Sequence, residues 1–216
     1  MFSGTDLRVS RVCLGTAFRS ERGEADCAAV IDAAAETGCN FIDTANIYRD
    51  GLSERIVGRT LEKRRDEFII ASKVGSAMPS DNNPGGLSRT GILRSVEQSL
   101  KRLNTDRIDL YICHCPDENT PVEETADVMD ELVRQGKIRY NGLSSYESWR
   151  MENVLRCCAS EHLTRPVCNQ VKYNLIDRGI ERGLVKACKA GEVAVTVFAP
   201  TAIGLLAGLY QYGKPP

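Results

Sequence analysis

Two apolar runs and the segment between them decide the fold: Ile108-Asp109-Leu110-Tyr111-Ile112-Cys113-His114 and Ile138-Arg139-Tyr140-Asn141-Gly142-Leu143-Ser144, separated by residues 121–135. Both runs are apolar and β-branched with little alternation, so they read as strands covered on both faces. The intervening segment opens on Thr120-Pro121 with Glu123 beyond, and closes on Gln135-Gly136. Those are start and stop signals of a helix. A strand, a helix and a second strand at this spacing form a parallel crossover unit.

The unit recurs along the chain. Further strand-like runs cover residues 9–14, 40–44, 68–74, 167–173 and 193–200, and helical patterns cover 24–37, 53–63, 88–103, 147–160 and 179–189. Strand centres fall at Val12, Phe41, Ile70, Tyr111, Tyr140, Asn169 and Thr196, in steps of 29, 29, 41, 29, 29 and 27 residues. The long step holds residues 75–87, rich in Gly, Pro, Asn and Ser, which predict a surface excursion. Seven such units make most of a (β/α)8 barrel, which needs roughly 250 residues. An eighth strand would be centred near ~225, past Pro216. Either the chain is truncated, or the eighth element is supplied otherwise, or the sheet is open. The expectation is an α/β chain of the (β/α)8 TIM-barrel type, truncated after about seven strands, forming one domain over residues 1–216. A doubly wound sheet would need a glycine-rich phosphate turn after its first strand, and Leu14-Gly15-Thr16-Ala17 is not one.

Composition excludes several classes. Twenty-eight Lys+Arg against 29 Asp+Glu leave a formal net charge of −1. That gives no electrostatic footprint for nucleic acid and no polybasic patch for a membrane. No window approaches the 18 or so apolar residues of a spanning helix, and the N-terminus lacks a signal-peptide layout. Nine cysteines without an export signal predict reduced thiols and a cytoplasmic location. Cys113 and Cys115 flank His114, and Cys157 adjoins Cys158, but no C-x-x-C pair exists. No metal site is expected.

The ends of the strands are polar. Asp43, Lys73, His114, Ser144-Ser145 and Gln170 close or nearly close strands two to six. Barrel active sites lie at that end. One polar residue there ordinarily marks where a strand meets water. A carboxylate, an ammonium and an imidazole on three successive strands point to a site. Buried charges must be paired, and Asp43 with Lys73 is an available pair. Lys73 alone would also suit Schiff-base chemistry.

These residues lie in motifs that resemble the aldo-keto reductase family. The stretch Asp43-Thr44-Ala45-Asn46-Ile47-Tyr48 with Gly51-Leu52-Ser53-Glu54 is similar to its "DTA-x-x-Y … G-x-SE" signature. Ile69-Ile70-Ala71-Ser72-Lys73 resembles its strand ending in lysine. Ser99-Leu100-Lys101-Arg102-Leu103 with Asp106-Arg107-Ile108-Asp109-Leu110-Tyr111 resembles the block leading to its histidine. Gly136-Lys137-Ile138-Arg139 through Ser144, Asn169-Gln170-Val171-Lys172-Tyr173-Asn174 and Phe198-Ala199-Pro200 complete the likeness in order along the whole chain. The branch it most resembles includes bacterial reductases and potassium-channel β subunits.

The resemblance implies hydride transfer between NADPH (NAD being possible) and a small aldehyde or ketone, or the reverse oxidation of the alcohol. It assigns Tyr48 as general acid, Lys73 as the ammonium that favours its phenolate, Asp43 as the partner of Lys73, and His114 as the donor to the carbonyl oxygen. Asp43 also counts among the cofactor contacts. Ser144, Ser145 and Gln170 would meet the nicotinamide carboxamide, Phe198 would stack on its ring, and Gly15 and Thr16 would line the ribose. Three positions depart from the family pattern: Ser145 stands for a common Asn, Phe198 for a frequent Tyr, and Arg49 for the Gly that usually follows the tyrosine. The residues that grip the cofactor's adenosine and 2′-phosphate would follow strand eight, so open edges at strands one and seven and weak NADPH binding are expected. The alternative function is a non-catalytic or degraded binding protein of the same family. No nucleic-acid or membrane partner is expected, and oligomeric state is not encoded in these motifs.

Overall fold

The computed structural model describes residues 2, 4–18, 23–208 and 210. Seven strands run in sequence order: β1 Leu14–Gly15, β2 Phe41–Asp43, β3 Ile69–Val74, β4 Ile108–Cys113, β5 Ile138–Ser144, β6 Cys168–Lys172 and β7 Ala194–Phe198. Every neighbouring pair is parallel. Six α-helices alternate with them: α1 Glu24–Glu36, α2 Leu52–Leu61, α3 Arg89–Leu103, α4 Val122–Arg134, α5 Ser148–Ser160 and α6 Leu184–Ala190. The architecture is a (β/α)8-type barrel through its seventh strand. Among the described residues, no helix is long and apolar enough to cross a membrane.

The strands bury both faces, which is why they read as continuous apolar runs. Ile42, Ile70, Tyr111, Cys113, Leu143 and Val171 pack outward against the helices. Phe41, Ala71, Leu110, Ile112 and Cys168 face the other way, into a second core with Phe2. Phe2 meets Phe41 edge to face, ring centroids 5.7 Å apart. Gly142 of β5 is part of that inner packing, because an added Cβ would lie 2.6 Å from Cys168 Sγ. The sheet curls far enough for a side chain of β6 to reach one of β2: Gln170 Nε2 donates to Asp43 Oδ1 at 2.8 Å.

Three elements differ from the sequence expectation. The predicted strand over 9–14 shrinks to β1, because Asn40 intercepts the backbone before it. Its Oδ1 accepts from Ser10 N at 2.7 Å and its Nδ2 donates to Arg8 O at 2.8 Å. The helix predicted over 179–189 divides into a 3-10 turn at Gly179–Arg182 and α6, with Gly183 between them as the N-cap of α6. Residues 75–87 are more than a surface excursion. Met78 and Asn83 pair antiparallel around the short 3-10 turn Pro79–Asp81. Met78, Asn83 and Leu87 are buried. Asp81 Oδ2 holds Arg102 Nη1 at 2.6 Å, so the loop is tied to α3.

Candidate active site

β2 brings Asp43 to the C-terminal mouth of the sheet, and β3 brings Lys73 beside it. Lys73 is fully buried, and its ammonium satisfies all three donors. It reaches Asp43 Oδ2 at 2.6 Å, the Thr44 carbonyl at 2.8 Å and the Tyr48 hydroxyl at 3.1 Å. Burial disfavours the charged amine. The charges of Asp43 and Tyr48 and their hydrogen bonds outweigh that, and the Lys73 pKa stands above its ordinary value. The two oxygens of Asp43 are thus divided between Lys73 and Gln170.

Tyr48 lies in the turn after β2. The turn is sharp: Arg49, Asp50 and Gly51 all have positive φ, at 49°, 54° and 79°. Arg49 stands at a backbone conformation that glycine adopts freely and other residues at a cost of order 1 kcal/mol. Its Nη1 is 3.8 Å from Cys27 Sγ of α1, so this side chain leans back onto the helical shell. The Tyr48 ring lies 4.7 Å from Lys73 Nζ and 6.1 Å from the His114 ring, the two rings at 78°.

His114 follows β4, and its backbone N–H donates to Val74 O at 2.7 Å. Its pKa is pushed down to about 4, first by burial and then by the Lys73 cation, with Asp43 opposing. The ring is therefore neutral at physiological pH. Its Nδ1 lies 3.1 Å from Ser76 Oγ.

The family-implied cofactor positions fall around the same mouth. Ser144 is buried at the end of β5 and in register with Gln170. Ser145 is exposed, has φ 61°, and its N–H donates to Gln170 O at 2.9 Å. Phe198 ends β7 with 38% of its surface exposed. Gly15 is exposed and pairs in register with Asp43. Thr16 is fully buried, and its hydroxyl is turned to Asp43 O at 3.0 Å and Ser53 Oγ at 2.9 Å.

Several supporting residues were not singled out from the sequence. Ser53 joins the β1 and β2 loops: its Oγ donates to Thr16 O at 2.6 Å and lies 2.9 Å from Thr44 Oγ1. Glu54, also fully buried, takes Arg102 Nε at 2.7 Å and the hydroxyl of Ser72, the residue before Lys73. The Ser53-Glu54 pair therefore braces the end of β2 and β3 from behind. Asn169 clamps the backbone after Ser145, donating to Tyr146 O at 2.8 Å. The motif spacing was the visible signal for Ser53 and Glu54. Asn169 adjoins Gln170 in the sequence, and nothing there separates their roles. A cavity of about 270 Å³ lies elsewhere, between α4 and α5, lined by Met129, Leu143, Trp149 and Cys158 among others, and contains none of these four catalytic candidates.

A carboxylate-held ammonium against a phenol, with a neutral imidazole alongside, is an arrangement for moving one proton to or from a bound oxygen. The sequence profile described as the Aldo/keto reductase family matches residues 11–216. The chain belongs to that family. Among aldo/keto reductases, the uncharacterized oxidoreductase YrpG of Bacillus subtilis (strain 168) is 37% identical over 217 residues, covering 94% of this chain and 66% of its own length. The aldo-keto reductase YhdN of the same organism is 36% identical, covering 94% of this chain and 62% of its own. A crystal structure of the thermostable aldo-keto reductase Tm1743 with the inhibitor epalrestat superposes with a TM-score of 0.83 at 34% identity. It covers 96% of this chain and 74% of that one. The chain thus spans a little under two thirds of the length of these curated relatives.

Proposed function

We propose that this chain reduces an aldehyde or ketone with hydride from NADPH, with Tyr48 as the general acid. The observation that carries the reading is the Lys73 ammonium held between Asp43 Oδ2 at 2.6 Å and the Tyr48 hydroxyl at 3.1 Å. Such an ammonium stabilises the phenolate left once the proton has passed to the alkoxide. Asp43 keeps the ammonium charged and fixed. His114, neutral beside Tyr48, hydrogen-bonds the carbonyl oxygen and sets its angle of approach.

The residues at the mouth suit a nicotinamide. Gln170 commits one amide N–H to Asp43 and retains its carbonyl oxygen and second N–H for a carboxamide. Ser144 and Ser145 add hydroxyls, and the exposed Phe198 ring offers a stacking face. Gly15, at the end of β1, permits close approach of the ribose. The nicotinamide supplies the hydride, and the chain supplies the proton and the orientation. All nine cysteines are free thiols, which supports a cytoplasmic setting.

The test is consumption of NADPH, followed by its absorbance, against a panel of small aldehydes and ketones. Carbonyl-dependent oxidation above the no-substrate rate is the expected result. No carbonyl-dependent rate across aliphatic, aromatic and dicarbonyl substrates would count against the reading.

A further inference from the structure

Ser76 belongs to none of the sequence motifs, yet it is built into the site. The chain leaves β3 through Gly75 at φ 112°, where an added Cβ would lie 3.0 Å from Leu87 Cδ2. The turn is pinned on both sides. Gly86 N donates to Gly75 O at 2.9 Å, and His114 N donates to Val74 O at 2.7 Å. Between those bonds, Ser76 Oγ comes to rest 3.1 Å from His114 Nδ1.

We infer that Ser76 donates its hydroxyl proton to His114 Nδ1 and thereby fixes the ring's own proton on Nε2, making His114 a hydrogen-bond donor to the substrate oxygen. This rests on the carbonyl-reducing reading above. A neutral imidazole carries one N–H, and the bond made at one nitrogen determines which atom holds it. Were Nδ1 the protonated atom, Nε2 would present a lone pair to a carbonyl oxygen and repel it. A hydroxyl can donate to a bare Nδ1 without adding charge or accept from a protonated one; a carbonyl oxygen facing Nε2, which only accepts, selects the first arrangement. Protonating the whole ring is not an alternative near pH 7, since burial and the adjacent Lys73 cation hold its pKa to about 4. Ser76 is accordingly a positioning residue, acting through His114.

The chain has two histidines, His114 and His162, so histidine-selective 15N labelling gives a readable spectrum, with His162→Gln identifying the His114 ring. The full chain and its Ser76→Ala and Ser76→Thr variants would be compared at pH 7, together with kcat at saturating NADPH. The expected result is a proton on Nε2 in the parent and the Thr variant. In the Ala variant a second tautomer appears and kcat falls about 3- to 10-fold, the size of one neutral hydrogen bond. The KM for NADPH stays unchanged, and Thr restores the rate. A bare Nε2 in the parent overturns the inference, as does an Ala variant with the parental tautomer. If the parent reduces no carbonyl, the reductase reading fails, and the nitrogen signals by themselves decide the role of Ser76.

Discussion

Gln170 of β6 donates its amide to Asp43 of β2 at 2.8 Å, joining side chains 127 residues apart across the mouth of the curled sheet. The same Asp43 holds Lys73 through its other oxygen. The bond is therefore at once a fastening between distant strands and the support of a catalytic candidate. Through it, β6 is connected to the Lys73 and Tyr48 pair of the β2 and β3 ends.

Gln170→Glu tests the fastening. A second carboxylate against Asp43 disfavours double ionisation, so the folded-state pKa of the pair rises above the unfolded value. The variant should be destabilised by about 1–3 kcal/mol at pH 7.5 and recover stability on acidification to pH 5. Urea unfolding at both pH values measures this. Equal losses at the two pH values would mean that Asp43 and the new carboxylate do not share a field.

Lys73→Met removes the ammonium and leaves Asp43 with Gln170 alone. Breaking a buried pair from one side costs about 3–5 kcal/mol, while removing both charges costs less. The double variant Asp43→Asn with Lys73→Met should therefore be more stable than Lys73→Met. The reverse order in chemical denaturation would show that the pair is not buried as described.

Gly58→Ala separates local propensity from packing. In an exposed helix the change stabilises by about 1 kcal/mol. Here α2 presses against the end of α3, and the new Cβ would lie 2.4 Å from Leu103 O and 2.8 Å from Arg102 O. Backbone cannot yield as a side chain does, so a loss of about 1–3 kcal/mol is expected. A raised Tm would contradict the close approach.

His114 gives stability a pH dependence of known sign. The folded ring stays neutral down to about pH 4, whereas an unfolded histidine protonates near pH 6.5. The unfolded chain binds the extra proton between those values, so stability falls as pH drops from about 6.5 to 4. Allowing for partial solvent screening, the contribution is on the order of 2 kcal/mol. Other acidic groups titrate in the same range, so the readout is the stability difference between the parent and His114→Gln. That difference should shift in favour of the parent as pH rises. A difference constant with pH would place His114 in a solvated setting.

Much of this was legible in the sequence. Steps of 29 residues between apolar runs follow from one repeating packing unit, and the polar strand ends follow from a barrel that is dry except at its mouth. Asp43, Tyr48, Lys73 and His114 meet because strand order and spatial order coincide. The rest depended on contacts with no periodic signature. Asn40 shortens β1 by capturing backbone groups of residues 8 and 10. Thr16 turns its hydroxyl to Ser53 and the Asp43 main chain, a direction that motif spacing does not encode. Residues 75–87 have the composition of a loop, yet Met78 and Leu87 are buried and Ser76 reaches His114. Glycine and proline content reports where a chain turns, not what it touches when it returns.

The proton donor is the centre of the account, and Tyr48→Phe tests it most directly. The substitution removes one oxygen, 3.1 Å from Lys73 Nζ, and leaves the ring to pack beside His114. The measurement is single-turnover carbonyl reduction at saturating NADPH, with cofactor affinity determined in parallel. The account predicts a rate lower by about 10²–10⁴-fold with NADPH binding preserved. A rate within a few-fold of the parent, at equal cofactor occupancy, would contradict it.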